Sequence, residues 1–112
     1  MSKEHDRIIS LLDAENIQLV ELREPMIIEL APKEWCYGVK SFDIKLYIYE
    51  FYNETDLTNS FSEIDTLSPE EGYKFDFAQN GPFLLIVQFS DDRKTEEKVD
   101  QILSTFSGVV ER

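Results

Sequence analysis

Cysteine and histidine occur once each, as Cys36 and His5, and that scarcity excludes a good deal of chemistry. A structural zinc site needs about four Cys or His ligands, so one chain of this composition cannot assemble one. A single thiol also rules out an internal disulfide. That suits a reducing cytoplasm and equally suits an exported bacterial protein that never used disulfides. A serine triad would have to use His5, which is expected near a frayed terminus. A Cys36–His5 nucleophilic pair would lack a third group to orient the imidazole. The plainer expectation is an ordinary loop or buried thiol and a surface imidazole. Glycine is also sparse, with four scattered residues. No G-x-S-x-G, G-x-G-x-x-G or Walker A spacing occurs, so a phosphate cradle is not expected.

Basic residues are outnumbered, 11 against 23 acidic, leaving a formal net charge of −12. Such a field repels phosphate backbones and anionic headgroups, which argues against nucleic-acid binding. It would attract basic proteins or divalent cations, although its simplest role is solubility. No apolar run approaches the roughly 20 residues of a membrane-spanning helix. The start, Met1-Ser2-Lys3-Glu4-His5-Asp6, is too polar for a signal peptide, so the chain is not expected to target itself.

What is present is a pattern for one α+β domain over residues 1–112, with 42% hydrophobic residues, eight Phe and five Tyr. Ile8, Leu11 and Leu12, with Ile9 beside them, predict a helix over Lys3–Glu15. Ser2 is its candidate cap, and Asn16 a C′ residue that lets Ile17 fold back. A strand follows at Ile17–Leu22. Pro25 breaks the chain, Met26–Leu30 reads as a short extended segment ended by Pro32, and residues 33–41 read as an irregular loop. Phe42–Tyr52 alternates as a strong strand, with Phe42, Ile44, Leu46 and Ile48 on one face. Asn53 caps a helix carrying Leu57, Phe61 and Ile64, and Ser68-Pro69-Glu70-Glu71 signals another helix start. Asn80-Gly81 predicts a type I′ hairpin between Tyr73–Ala78 and Phe83–Ser90, with Gln79 opposite Pro82. A last helix over Arg93–Phe106 follows the cap candidates Asp91 and Asp92, with Gly108 as its stop and Val109 as a closing contact. The expected fold is a two-layer α+β domain. Its mainly antiparallel sheet has four to five strands, and its three helices pack mostly on one face.

No catalytic residue, metal ligand or cofactor site is assigned. The carboxylate pairs Glu70-Glu71, Asp91-Asp92 and Glu96-Glu97 lie at helix starts, where acids complement the dipole, so capping explains them better than glycosidase chemistry. Calcium at Asp91-Asp92 would lack the D-x-D-x-D-G loop. Asn53-Glu54-Thr55 matches a glycosylation sequon, but capping accounts for it.

The most informative feature is a second sheet face. Tyr47, Tyr49 and Phe51 share an odd-numbered pattern with Phe83, Leu85, Val87 and Phe89. If the two strands are adjacent and in phase, these seven form a patch that is either covered as a two-sided core or exposed for a protein partner or a second copy. A second candidate is a ligand pocket around Trp35, Cys36 and Tyr37.

Tyr37-Gly38-Val39-Lys40, Lys45-Leu46-Tyr47-Ile48-Tyr49-Glu50-Phe51, Phe77-Ala78-Gln79-Asn80 and Leu84-Leu85-Ile86-Val87-Gln88-Phe89 carry a resemblance to small uncharacterised lipoproteins of Bacillus-type bacteria. It spans roughly residues 5–106 and rests on strand pattern more than on invariant chemistry. It implies an extracytoplasmic, lipid-anchored domain and no catalytic residues. Residues 1–112 show neither a signal peptide nor an N-terminal Cys, so the resemblance implies either an anchor outside these residues or a cytoplasmic member. The expected function is a non-enzymatic, acidic, soluble interaction or self-associating domain. A small-ligand-binding domain with its pocket near Trp35 is the alternative.

Overall fold

The structure, a computed structural model, describes residues 3–24 and 28–108. Ser2, Pro25, Met26 and Val109, which carried parts of the readings above, lie outside the described residues.

The elements run α1 (Lys3–Ala14), β1 (Leu19–Leu22), β2 (Lys33–Val39), β3 (Ile44–Glu50), α2 (Glu54–Asn59), α3 (Phe61–Ile64), β4 (Tyr73–Asn80), β5 (Phe83–Ser90) and α4 (Arg93–Gly108). The strands form one antiparallel sheet in the order β1-β2-β3-β5-β4. This is the expected α+β class, with one further helix: the stretch after Asn53 divides at Ser60 into α2 and the single turn α3.

Local chemistry explains most boundaries. Asn16 adopts φ 64°, the left-handed conformation that closes a helix, and Ile17 N–H returns to the Leu12 carbonyl at 3.0 Å. Ile17 is thereby folded into the core. Asn53 Oδ1 accepts from Asp56 N–H at 2.8 Å, and Asp92 Oδ1 accepts from Thr95 N–H at 3.0 Å, so α2 and α4 begin on side-chain caps.

Three expectations need correction. Residues 33–41 are not an irregular loop, because Lys33–Val39 forms β2, the strand between β1 and β3. Its aromatic and β-branched residues, Trp35, Tyr37 and Val39, alternate on one face, a strand pattern obscured by the intervening Cys36 and Gly38. Ser68–Glu71 starts no helix. A turn forms there, with Gly72 at φ +87° and Tyr73 N–H donating to Glu70 O at 3.0 Å. The hairpin turn is Gly81-Pro82, flanked by Asn80 opposite Phe83. Positive φ at Gly81 followed by the fixed negative φ of proline has the signs of a type II′ turn, not I′. Asn80 therefore belongs to the strand, and its buried amide donates to Phe106 O in α4 at 2.9 Å.

The two central strands, β3 and β5, are apolar on both faces, so both faces are covered. α1 and α4 bury one side through Ile8, Leu12, Val99, Ile102 and Phe106 against Ile44, Leu46, Ile48, Leu85 and Val87. α2, α3 and Ile28 cover the other through Leu57 and Ile64 against Tyr47, Tyr49, Leu84 and Ile86. The loop before β4 is fastened to that second side. Glu70 N–H donates to Gln88 Oε1 at 3.0 Å, and the Lys45 ammonium lies 3.4 Å from both Glu24 and Glu70.

Asn80→Ala leaves the buried Phe106 carbonyl without its donor. It should cost about 1–3 kcal/mol, seen as a lower urea midpoint with an unchanged slope.

Candidate functional site

β3 and β5 pair with Ile44 opposite Phe89, Ile48 opposite Leu85 and Tyr49 opposite Leu84. Odd positions of one strand therefore face even positions of the other. The seven residues expected on a common face are divided: Phe83, Leu85, Val87 and Phe89 lie beneath α1 and α4, and Tyr47, Tyr49 and Phe51 lie on the opposite side. All seven are buried. The expected in-phase patch does not form, because strand parity depends on register, and register on a crossover that alternation within each strand cannot reveal.

The pocket candidates Trp35, Cys36 and Tyr37 divide for the simpler reason that successive strand residues point to opposite faces. Cys36 joins Tyr47 in the core on one side. Burial pushes its thiol above the ordinary value, which keeps it protonated. Trp35 and Tyr37 point to the α1 side, where they meet His5.

His5 is not at a frayed end. It occupies the first turn of α1 and is 6% exposed. Its buried companions on that helix are Ile8 and Leu12, at i+3 and i+7, so the imidazole extends the apolar stripe by one turn. That spacing was the available signal. The ring stacks on the Trp35 indole with centroids 3.8 Å apart and planes 12° from parallel. Nε2 lies 3.0 Å from the Tyr37 hydroxyl, and Nδ1 lies 3.4 Å from Asp6 Oδ1. With the Nδ1-protonated tautomer turned to the carboxylate, Nε2 accepts the Tyr37 proton. Burial lowers the His5 pKa below its ordinary value, and the Asp6 contact and the Glu50 charge oppose that only in part, which favours the neutral ring at pH 7. Burial also raises the Tyr37 pKa, with Glu21 and Asp6 adding to the effect.

Glu21 arrives from β1, directly opposite Tyr37. His5, Asp6, Glu21, Trp35 and Tyr37, with Ile9 and Ser10, line an open cleft of about 450 Å³ between α1 and the β1–β2 end of the sheet. A neighbouring depression of about 360 Å³ continues past the end of β1 along Leu22, Arg23, Glu34 and Cys36. The main cleft thus combines aromatic surface, a neutral imidazole and two carboxylates. Among the described residues no group of three or more His, Cys, Asp or Glu is placed to hold a metal, and no helix is long and apolar enough to cross a membrane.

Neither family models, nor curated proteins, nor solved structures match this chain.

A histidine held neutral in the folded state makes stability depend on pH with a definite sign. The unfolded chain takes up the proton near the ordinary value of 6.5 and the folded chain only below it. The contribution of His5 is whole above pH 6.5 and declines as pH falls toward the folded pKa. As pH falls below 6.5, urea midpoints of the unsubstituted chain should fall faster than those of His5→Gln. Parallel profiles would show that the imidazole is not held neutral.

Proposed function

We propose that this chain is a non-catalytic binding domain, that its site is the cleft at His5, Trp35 and Tyr37, and that its ligand is a small organic cation. One observation carries this reading: Asp6 and Glu21 stand beside three stacked or adjacent rings, and among the described residues no cationic side chain lines the same cleft. Carboxylates attract a cation through space, and the faces of tryptophan and tyrosine attract it through their quadrupoles. A volume of about 450 Å³ suits a small molecule. The net charge of −12 draws such a ligand toward the chain.

Two features support the non-catalytic part. The Cys36 thiol lies on the far side of β2, away from His5, and is kept protonated by burial. His5 Nε2 is engaged by the Tyr37 hydroxyl, with no nucleophile between them. In our reading the domain works outside the cytoplasm on a lipid anchor, as the resemblance to Bacillus-type lipoproteins implies. Its surface for a protein partner is not the set of seven strand residues, which are buried.

Trp35 is the only tryptophan and so reports directly on the cleft. Tetramethylammonium should change its fluorescence saturably, and the uncharged tert-butanol should not. Asp6→Asn combined with Glu21→Gln should weaken tetramethylammonium binding about tenfold or more. Equal responses to the two probes, or a linear response to both, would sink the cation reading.

A further inference from the structure

β4 ends the sheet: β5 pairs with one side of it, and no described strand pairs with the other. In a hairpin closed by two residues, the pair flanking the turn exchanges both ladder bonds, and bonded pairs alternate from there. Asn80 and Phe83 are that pair, so Lys74, Asp76 and Ala78 also turn their backbone groups toward β5. Tyr73, Phe75, Phe77 and Gln79 turn theirs outward. The remaining bonds agree. Tyr73 N–H donates to Glu70 O at 3.0 Å, and Ser90, opposite Tyr73, donates away from β4 to Asp43 O at 3.3 Å. Phe77 N–H is satisfied by Asp76 Oδ1 at 2.9 Å.

The two sides of this edge differ in chemistry. Toward α4 lies a crevice of about 320 Å³ bordered by Asp76, Glu96 and Asp100. Among the described residues the one cation on its border, Lys74, is already held by Asp91 at 3.0 Å and Glu96 at 3.8 Å. On the opposite side Phe75 and Phe77 stand edge to face, 6.0 Å apart, and Phe77 is 43% exposed.

We propose that the β4 edge receives an extended, cationic segment of a partner protein in which basic and apolar residues alternate. The segment adds antiparallel as a further strand. Its basic side chains enter the acidic crevice, and its apolar side chains cover Phe75 and Phe77. The guard on the edge favours this chemistry. Asp76 satisfies the outward N–H of Phe77 in the free chain, which is one way an edge avoids indiscriminate pairing. Toward an added strand, position 76 is a non-hydrogen-bonded site, where facing side chains approach closest. A basic residue there draws the carboxylate into an ion pair and frees the Phe77 N–H for the incoming carbonyl. An acidic or neutral strand offers no such exchange. A second copy is the poorer occupant, because each chain carries −12 and pairing β4 with itself sets two acidic crevices side by side.

The geometry also specifies which backbone groups of the segment matter. Residues opposite Phe75 and Phe77 share their face and form the hydrogen-bonded pairs, so the N–H groups aimed at β4 belong to the apolar residues of the segment. A fluorescein-labelled peptide of alternating lysine and valine, titrated with the whole chain and followed by anisotropy, should bind with an affinity that falls with salt. N-methylation of its valines should weaken binding about tenfold or more, while N-methylation of its lysines should change it little. Asp76→Lys should weaken the unmodified peptide to a similar degree, and a glutamate–valine peptide should not bind. Equal losses from the two methylations would overturn the ladder. Undiminished binding to Asp76→Lys would overturn the role of the guard. A dimer of the free chain in sedimentation that Asp76→Lys abolishes would assign the edge to a second copy and overturn the proposal. Because the methylation arm alters only the peptide, it does not depend on how any variant folds.

Discussion

The register between β3 and β5 is the constraint on which the rest of this molecule depends. Both strands are apolar on both faces, and pairing Ile48 with Leu85 and Tyr49 with Leu84 gives each face its own complete apolar surface. A sheet of this kind cannot leave either side to water. α1 and α4 cover one side, and α2, α3, Ile28 and the loop fastened by Glu70 cover the other. Burying a large aliphatic or aromatic side chain is worth about 1.5–3 kcal/mol, so the two-sided centre, not any single polar contact, dominates the stabilisation.

That arrangement also decides where a surface remains for function. The centre of the sheet is closed, and chemistry is left to its margins, where helical cover runs out. At one margin the first turn of α1 lies over β2, and the last buried residue of its stripe is a histidine instead of an aliphatic residue. Stacking on Trp35 and a hydrogen bond to Tyr37 compensate for burying the ring, and burial keeps it neutral. The consequence is a cleft in which, among the described lining residues, Asp6 and Glu21 carry the charge. At the other margin β4 keeps an edge that no described strand pairs, bordered by acids on the α4 side and by phenylalanines on the other. Asp76 serves as a local guard there, a short-range answer to the exposure that any terminal strand incurs.

Much of the fold was legible because its signals are local. Helix caps at Asn53 and Asp92, the left-handed Asn16 and the stripes of α1 and α4 are decided within a turn or two of chain. So is the face of β3, through strict alternation. β2 escaped because Cys36 and Gly38 interrupt the apolar pattern and because its stability comes from two neighbours, β1 and β3, which lie elsewhere in sequence. The hairpin turn was placed to within a residue and its parity survived, while the pairing moved by two residues, Gln79 facing Leu84 in place of Pro82. The proline that closes the turn moved the flanking pair from Gln79–Pro82 to Asn80–Phe83.

The site followed the same division. Trp35 and Tyr37 stood out as aromatic residues in an otherwise unpatterned stretch, and both line the cleft. His5, Asp6 and Glu21 did not stand out. A lone histidine near a chain end carries no signal until the helix bearing it is known to dock, and Glu21 becomes a neighbour of Tyr37 only through the β1–β2 register. By itself, then, the sequence determined α1, α4 and the start of α2, the caps at Asn53 and Asp92, the apolar character of the central strands and the excess of negative charge, all properties of neighbouring residues. Only the tertiary structure decided which strands are in phase, which face each aromatic residue serves and which carboxylates share its cleft. The physical reason is that a shift of one residue in pairing exchanges the two faces of a strand while leaving its own sequence pattern unchanged.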